Sequence, residues 1–319
     1  MRKVLLFLVV VAGLFAEEKF VIGPTPGEGF FSSFLGVLNN IIWAEKNHKV
    51  PVVYWNEGCC YAKMDGSNAW EYYFYPVSNL TYERGNALHS CLGVADGVTI
   101  SHIFQSNRSY FDQTYRFVVK EILDRYIEVK PGISEEVDTF YEKNMKGKKT
   151  IGIHLRGTDK AGGKRGQEIK NAEIKERKEK DLARNQKLSL LLLGAAERIA
   201  NTFDEEVQFF IASDDESLLD LAKKKLRGAL IYCNAHRSQD GAPVHTTKGG
   251  SERDAALLGK EVLVDALLLS KCDFFIYSYS SVAIAVLTFN PTLPYEYLTV
   301  PYEQRDERRQ HKRKPPKDA

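Results

Sequence analysis

Ile151-Gly152-Ile153-His154-Leu155-Arg156-Gly157-Thr158-Asp159-Lys160 decides how this chain is read. Ile151 to Leu155 is a short apolar run of the kind that forms a buried strand, and it stops abruptly in polar chemistry. In open α/β sheets, ligands bind just beyond the carboxyl ends of the strands. His154, Arg156, Thr158, Asp159 and Lys160 all fall at or beyond such an end. Arginine offers a planar fork that grips phosphate through two hydrogen bonds, and lysine adds a point charge. Delivered together into a crevice, Arg156 and Lys160 predict a site for a diphosphate. A surface turn closed by a local Arg–Asp pair is the competing reading of the same residues.

The surrounding chain is long enough for such a sheet and for a second one. With 319 residues it can build two domains with cores of their own. A hydrophobic fraction of 44% and a charged fraction of 27% are those of a soluble globular protein. A net charge of +2 argues against bulk nucleic-acid binding. Met1-Arg2-Lys3, the apolar run Val4 to Ala16 and the polar Glu17-Glu18-Lys19 have the layout of a secretory signal peptide. Cleavage after Ala16 gives an exported protein. Left uncleaved, the run would be a membrane anchor, though it is short for a span. Of the five cysteines, Cys59, Cys60, Cys91, Cys233 and Cys272, two pairs can form disulfides and one is left over. Their spacing fits no zinc site. Cys272, in an apolar strand, reads as a buried thiol.

Working outward, strand Lys19 to Ile22, a Gly/Pro loop, helix Phe30 to Asn47 and strand Val50 to Trp55 make a β-α-β unit, which implies a parallel sheet. The aromatics of Asn68 to Tyr75 read first as a packed cluster under a loop. Phe117 to Tyr141 reads as helices broken at Lys130-Pro131-Gly132. The basic stretch Lys143 to Lys149 is a candidate boundary. It divides an N-terminal unit, 17–145, from a C-terminal one, 146–300, with a basic tail over 301–319. The second unit has strands Thr150 to Leu155, Val207 to Ala212, Ala229 to Cys233 and Phe274 to Tyr277. Its helices lie near Lys187 to Asn201, Glu216 to Leu226 and Lys260 to Leu269. The charged segment Gly163 to Lys187 is a solvated helix or a lid, the solvated face being favoured.

Two further strand ends carry polar groups. Val207 to Ala212 stops at Ser213-Asp214-Asp215, where either aspartate can cap the next helix or anchor ribose hydroxyls. Adjacent residues point apart, which weakens a metal-binding role for the pair. Phe274 to Tyr277 stops at Ser278 to Ser281. Hydroxyls and free N–H groups at the start of the following helix make an anion site, and they can cap that helix as well. Asp265, in the apolar helix before this strand, costs free energy unless something pairs with it.

The order His-x-Arg-x-Thr-Asp-Lys, then Ser-Asp-Asp, then Asp-helix-Ser-x-x-Asp-Phe-strand-Ser-Ser resembles the α1,6-fucosyltransferase and nodulation fucosyltransferase group, with the protein O-fucosyltransferases as relatives. The likeness is most specific over Ile151 to Lys160 and Val207 to Val286. It implies an α/β, GT-B-like fold of two facing Rossmann-like domains with parallel sheets. It also implies an inverting transferase that takes fucose from GDP-fucose without a metal, with a glycan or glycoprotein hydroxyl as acceptor. By that resemblance Arg156 meets the β-phosphate, and His154 and Asp265 line the guanine end. Asp159, Lys160, Asp214 and Asp215 belong to the donor site, and Ser280 and Ser281 to the phosphate-binding turn. Gly27 and Gly29 lie in the loop that opens the first helix.

Two departures matter. Gly157 stands where the α1,6 enzymes have a second arginine. Lys164 stands where they have a glutamate, and Glu168 is out of register. Glu28, in Pro26-Gly27-Glu28-Gly29-Phe30, matches a Glu-Gly-Phe that supplies the base in one branch of the protein O-fucosyltransferases. It is equally readable as a first-turn carboxylate complementing the helix dipole. A binding protein that has lost catalysis, or a transferase of another GDP-sugar, fits the same motifs. In the transferase reading, closure of the two domains excludes water from the reacting centre.

Overall fold

The computed structural model describes residues 18–90, 113–158, 172–239, 241, 244 and 254–300. The expected signal peptide, Cys91, Asp159, Lys160, Lys164, Glu168 and the basic tail lie outside these residues.

Strands β1 (Lys19–Gly23), β2 (Val50–Val53) and β3 (Leu88–Ser90) form a parallel sheet in the order β2-β1-β3. Helix α1 (Phe30–Lys46) makes the crossover from β1 to β2. Its Phe30, Phe34, Val37, Leu38 and Ile41 recur at helical spacing and are fully buried. Helices α2 (Gln113–Tyr126) and α3 (Pro131–Asn144) follow. The break between them falls where Pro131 opens α3 at a position that needs no N–H donor.

The second sheet comprises β4 (Lys149–Leu155), β5 (Val207–Ser213), β6 (Ala229–Ile231), β7 (Phe274–Tyr277) and β8 (Tyr295–Tyr297), all parallel, in the order β6-β5-β4-β7-β8. Every residue of β5 is buried, as a strand covered on both faces requires. Helices α4 (Ala172–Ala200), α5 (Glu216–Lys225), α6 (Ala255–Ser270) and α7 (Ser281–Phe289) complete the second half. α6 and the turn after it lie so close to β4 that a Cβ at Gly152 would meet Leu269 Cδ2 at 2.9 Å and Cys272 Sγ at 2.8 Å. Cys272 is a buried free thiol, as expected.

The chain runs from β4 outward through β5 and β6, then returns to the other side of β4 as β7 and β8. That reversal opens a crevice between the carboxyl ends of β4 and β7. The first sheet reverses in the same way around β1.

A single hydrophobic cluster joins the two halves. It runs from Phe30, Phe34 and Trp70 to Leu263, Ile284 and Val286. α1 and α2 pack on α7, and α3 packs on α6. Phe34 meets Phe289 with ring centroids 5.8 Å apart. The aromatic stretch is a packed cluster, with Trp70, Tyr73 and Phe74 buried around a 3₁₀ turn at Ala69–Tyr72. No helix among the described residues is long and apolar enough to cross a membrane.

α4 begins at Ala172, so much of the charged segment is helix, the favoured of its two readings. Other elements differ from expectation. α6 begins at Ala255, because Asp254 caps it by accepting from Ala256 N at 3.0 Å. The short edge strands β3 and β8 lack the apolar length that marks a strand in sequence.

Candidate functional site

The two reversal points face one another across a cleft. It encloses about 170 Å³ and, counted out to its open mouth, about 1020 Å³. β4 supplies His154 and Arg156, which alternate to the same side of the strand and both line the cleft. Arg156 is half-buried and follows β4 directly.

The turn that carries Arg156 is gripped from β5. Asp214 accepts from Gly157 N at 2.8 Å and from Thr158 Oγ1 at 2.7 Å, and it also lines the cleft. Asp215 turns away from the cleft. It is 1% exposed and caps α5, accepting from Ser217 N at 2.9 Å and Ser217 Oγ at 2.6 Å. Adjacent carboxylates thus divide the work, one holding the turn and one starting the helix. Gly157 is packed on Asp215, and a Cβ there would come within 2.6 Å of Asp215 Cβ. A second arginine at this position has no room.

At the end of β7, Ser280 is buried. Its Oγ accepts from Ala283 N at 3.0 Å as the cap of α7 and lies 3.2 Å from His154 Nδ1. The hydroxyl therefore ties the two strand ends together without lining the cleft itself. Ser281 and Val282, the first residues of α7, do line it. Helix starts carry unsatisfied N–H groups and a partial positive charge.

A second helix start faces them. Glu28 N donates to Thr25 O at 3.3 Å, closing a turn with Pro26 and Gly27 at its centre. Gly27 has φ +76°, the left-handed conformation that a type II turn demands after proline. Gly29 then caps α1 without a side-chain hydrogen bond. Glu28 and Gly29 line the cleft, with Glu28 exposed; Gly27 shapes the turn behind them.

Tyr61 was not anticipated from sequence. It comes from the loop after β2, is buried, and accepts from Phe30 N through its hydroxyl at 3.1 Å. Burial pushes its phenol well above the ordinary range, and Arg156 nearby pulls modestly the other way. No residue spacing announces a contact made between chain segments so far apart.

The far wall belongs to α6. Asp265 is 7% exposed, and its Oδ1 has no hydrogen-bond partner among the described residues. Burial pushes its carboxyl up to about 7, while the Cys233 thiol and Arg237 guanidinium pull it back and Glu261 pushes it further up. Glu261 lies one helical turn earlier and also lines the cleft, holding His236 N at 2.9 Å. Two carboxylates four apart in an apolar helix were a legible sign of a polar face. Arg237 folds back on Cys233 O at 2.8 Å and Ala235 O at 3.1 Å, fixing the segment that forms this wall.

No family model and no curated protein sequence matches the chain. Solved structures do. The fucosyltransferase NodZ from Bradyrhizobium aligns at 16% identity over 87% of this chain and 93% of its own, with a TM-score of 0.52. POFUT1 in complex with GDP-fucose aligns at 10% identity over 89% and 98%, with a TM-score of 0.51. An Arabidopsis thaliana FUT1 mutant in complex with GDP aligns at 10% identity over 91% and 72%, also at 0.51. Identities this low establish architecture and nothing finer. The chain has the GT-B-like α/β fold, two facing parallel-sheet units, that these fucosyltransferases share.

Proposed function

We propose that the protein is an inverting glycosyltransferase that uses GDP-fucose. The observation that carries this reading is that Arg156 and Glu28, from the two halves, line one cleft together with the first residues of α7 and α1. Arg156 and the N–H groups of Ser281 and Val282, which open α7, would meet the diphosphate, with the partial positive charge at the start of α1 beside them. Asp265 and His154 would hold the base. A NodZ structure was obtained with GDP-fucose soaked in, which supports that donor class for this fold.

The acceptor hydroxyl oxygen attacks the anomeric carbon of the sugar as the bond from that carbon to the β-phosphate oxygen breaks. The hydroxyl proton passes to the Glu28 carboxylate, and GDP leaves with the bonding electrons. The charge that grows on the diphosphate is met by Arg156 and the helix starts, so the reading calls for no metal. The acceptor is a glycan or glycoprotein hydroxyl entering from the 17–145 half, and the donor sits on the 146–300 half. Asp159 and Lys160, beyond the Arg156 turn, join the donor site in this reading. The expected leader places the enzyme in the secretory pathway.

Calorimetric binding of GDP-fucose, GDP-mannose and UDP-glucose in EDTA tests the donor. Micromolar binding of GDP-fucose alone supports the reading, and absence of binding to any GDP compound sinks it. In an acceptor screen Arg156→Ala is expected to lose about 100-fold or more in kcat/KM with its melting temperature unchanged. Glu28→Gln is expected to keep GDP-fucose affinity while kcat falls by about 10²–10⁴. Donor binding with no turnover on any acceptor would instead identify a catalytically silent binding protein, the reading that Lys164 in place of a glutamate favours.

A further inference from the structure

The second sheet has a cavity on the face away from the cleft. It lies between α4 and α5, and it encloses about 420 Å³ against about 170 Å³ for the cleft. That falls within the span of small-molecule sites, about 300–1,000 Å³. Leu182, Leu190, Leu218 and Leu221 form its walls, and Gly157 and Asp215 lie at its inner end.

Asn185 adds a polar group to this apolar lining. It is 9% exposed, and its Nδ2 is sealed from solvent with no acceptor among the described residues. Buried amide N–H groups are nearly always paired, so one left without an acceptor beside a cavity marks the place of a missing oxygen. The charge of that oxygen's carrier follows from the floor. The Asp215 side chain is buried there and already accepts from Ser217 N and Ser217 Oγ. Among the described residues the lining has no lysine or arginine. A carboxylate or phosphate brought beside Asp215 would meet a like charge.

We propose that this cavity binds a small neutral amphiphile, an apolar chain with one amide or hydroxyl group whose oxygen accepts from Asn185 Nδ2. The proposal stands apart from the transferase reading, since the two sites use opposite faces of the sheet.

The test is saturation-transfer NMR and thermal-shift titration of the full chain with octanamide, 1-octanol and octanoate, with and without GDP. Octanamide and octanol are expected to bind saturably, octanoate at least about tenfold more weakly, and GDP not to compete. Leu190→Trp fills the cavity from a position 45% exposed, where the fold tolerates it, and should abolish binding. Asn185→Leu should weaken octanamide about tenfold, the worth of one buried hydrogen bond. The proposal is overturned if no probe saturates, if octanoate binds as well as octanamide, if GDP displaces the probes, or if neither substitution changes their affinity.

Discussion

In the transferase reading, Asp265 serves the nucleotide site at a cost to the fold. Its ordinary value is 3.8 and its folded value about 7, so the native state holds a proton that the unfolded chain releases between them. The support this gives the fold is fully present below about pH 4 and is lost as pH rises through 7. Each unit of such a shift is worth about 1.4 kcal/mol. Asp265→Asn removes the penalty of an ionised buried carboxylate. Its melting temperature relative to the parent protein is expected to rise from about pH 4 to about pH 7 and then level off. The amide cannot accept two N–H groups from a guanine edge, so GDP affinity should fall at least about tenfold above pH 7, where the parent's carboxyl is ionised, and the difference should narrow as that carboxyl protonates at lower pH. A variant that binds GDP normally would remove Asp265 from the nucleotide site.

At the scale of elements, the site is a set of strand ends and helix starts, and the pair Asp214 and Asp215 separates the two. Asp215→Ala removes a cap and is expected to cost about 1 kcal/mol of stability, with donor affinity nearly unchanged. Asp214→Ala frees the Gly157–Thr158 turn and should weaken donor binding while the melting temperature moves less. Thermal melts and calorimetry on the two variants distinguish the roles, and identical behaviour would refute the division. These elements also show what the sequence could reveal. β4, β5 and β7 were legible because a strand buried on both faces is an uninterrupted apolar run. Arg156 and Ser281 were legible because polar residues terminate such runs. Tyr61 was not, because its hydrogen bond to Phe30 N depends on how a loop folds back across the start of α1. The charged segment was readable as a solvated helix but not where α4 begins, because such a helix shows charge and little periodicity.

On the scale of the whole molecule, the apolar cluster that passes through both halves makes a wide hinge between them costly. Opening the seam would bring Phe31, Phe34 and Phe289 toward water. Exclusion of water from the cleft is therefore better assigned to its loops than to rigid-body closure. Gly259 marks how tight the seam is, since a Cβ there would lie 2.2 Å from Tyr73 Oη and 2.5 Å from Tyr73 Cζ. Gly259→Ala is expected to destabilise by about 1–3 kcal/mol. Adding Tyr73→Phe should recover part of the loss but not all, because the ring carbon remains in the way. A double-mutant cycle of melting temperatures with no coupling would show that the two residues do not meet. The same seam bears on how the chain can be taken apart. Cut in the turn at 145–148, it would leave each fragment with a bare aromatic face shaped to the other. The halves are then obligate companions, able to reassemble as a pair, and neither is a module that can be lent to another protein.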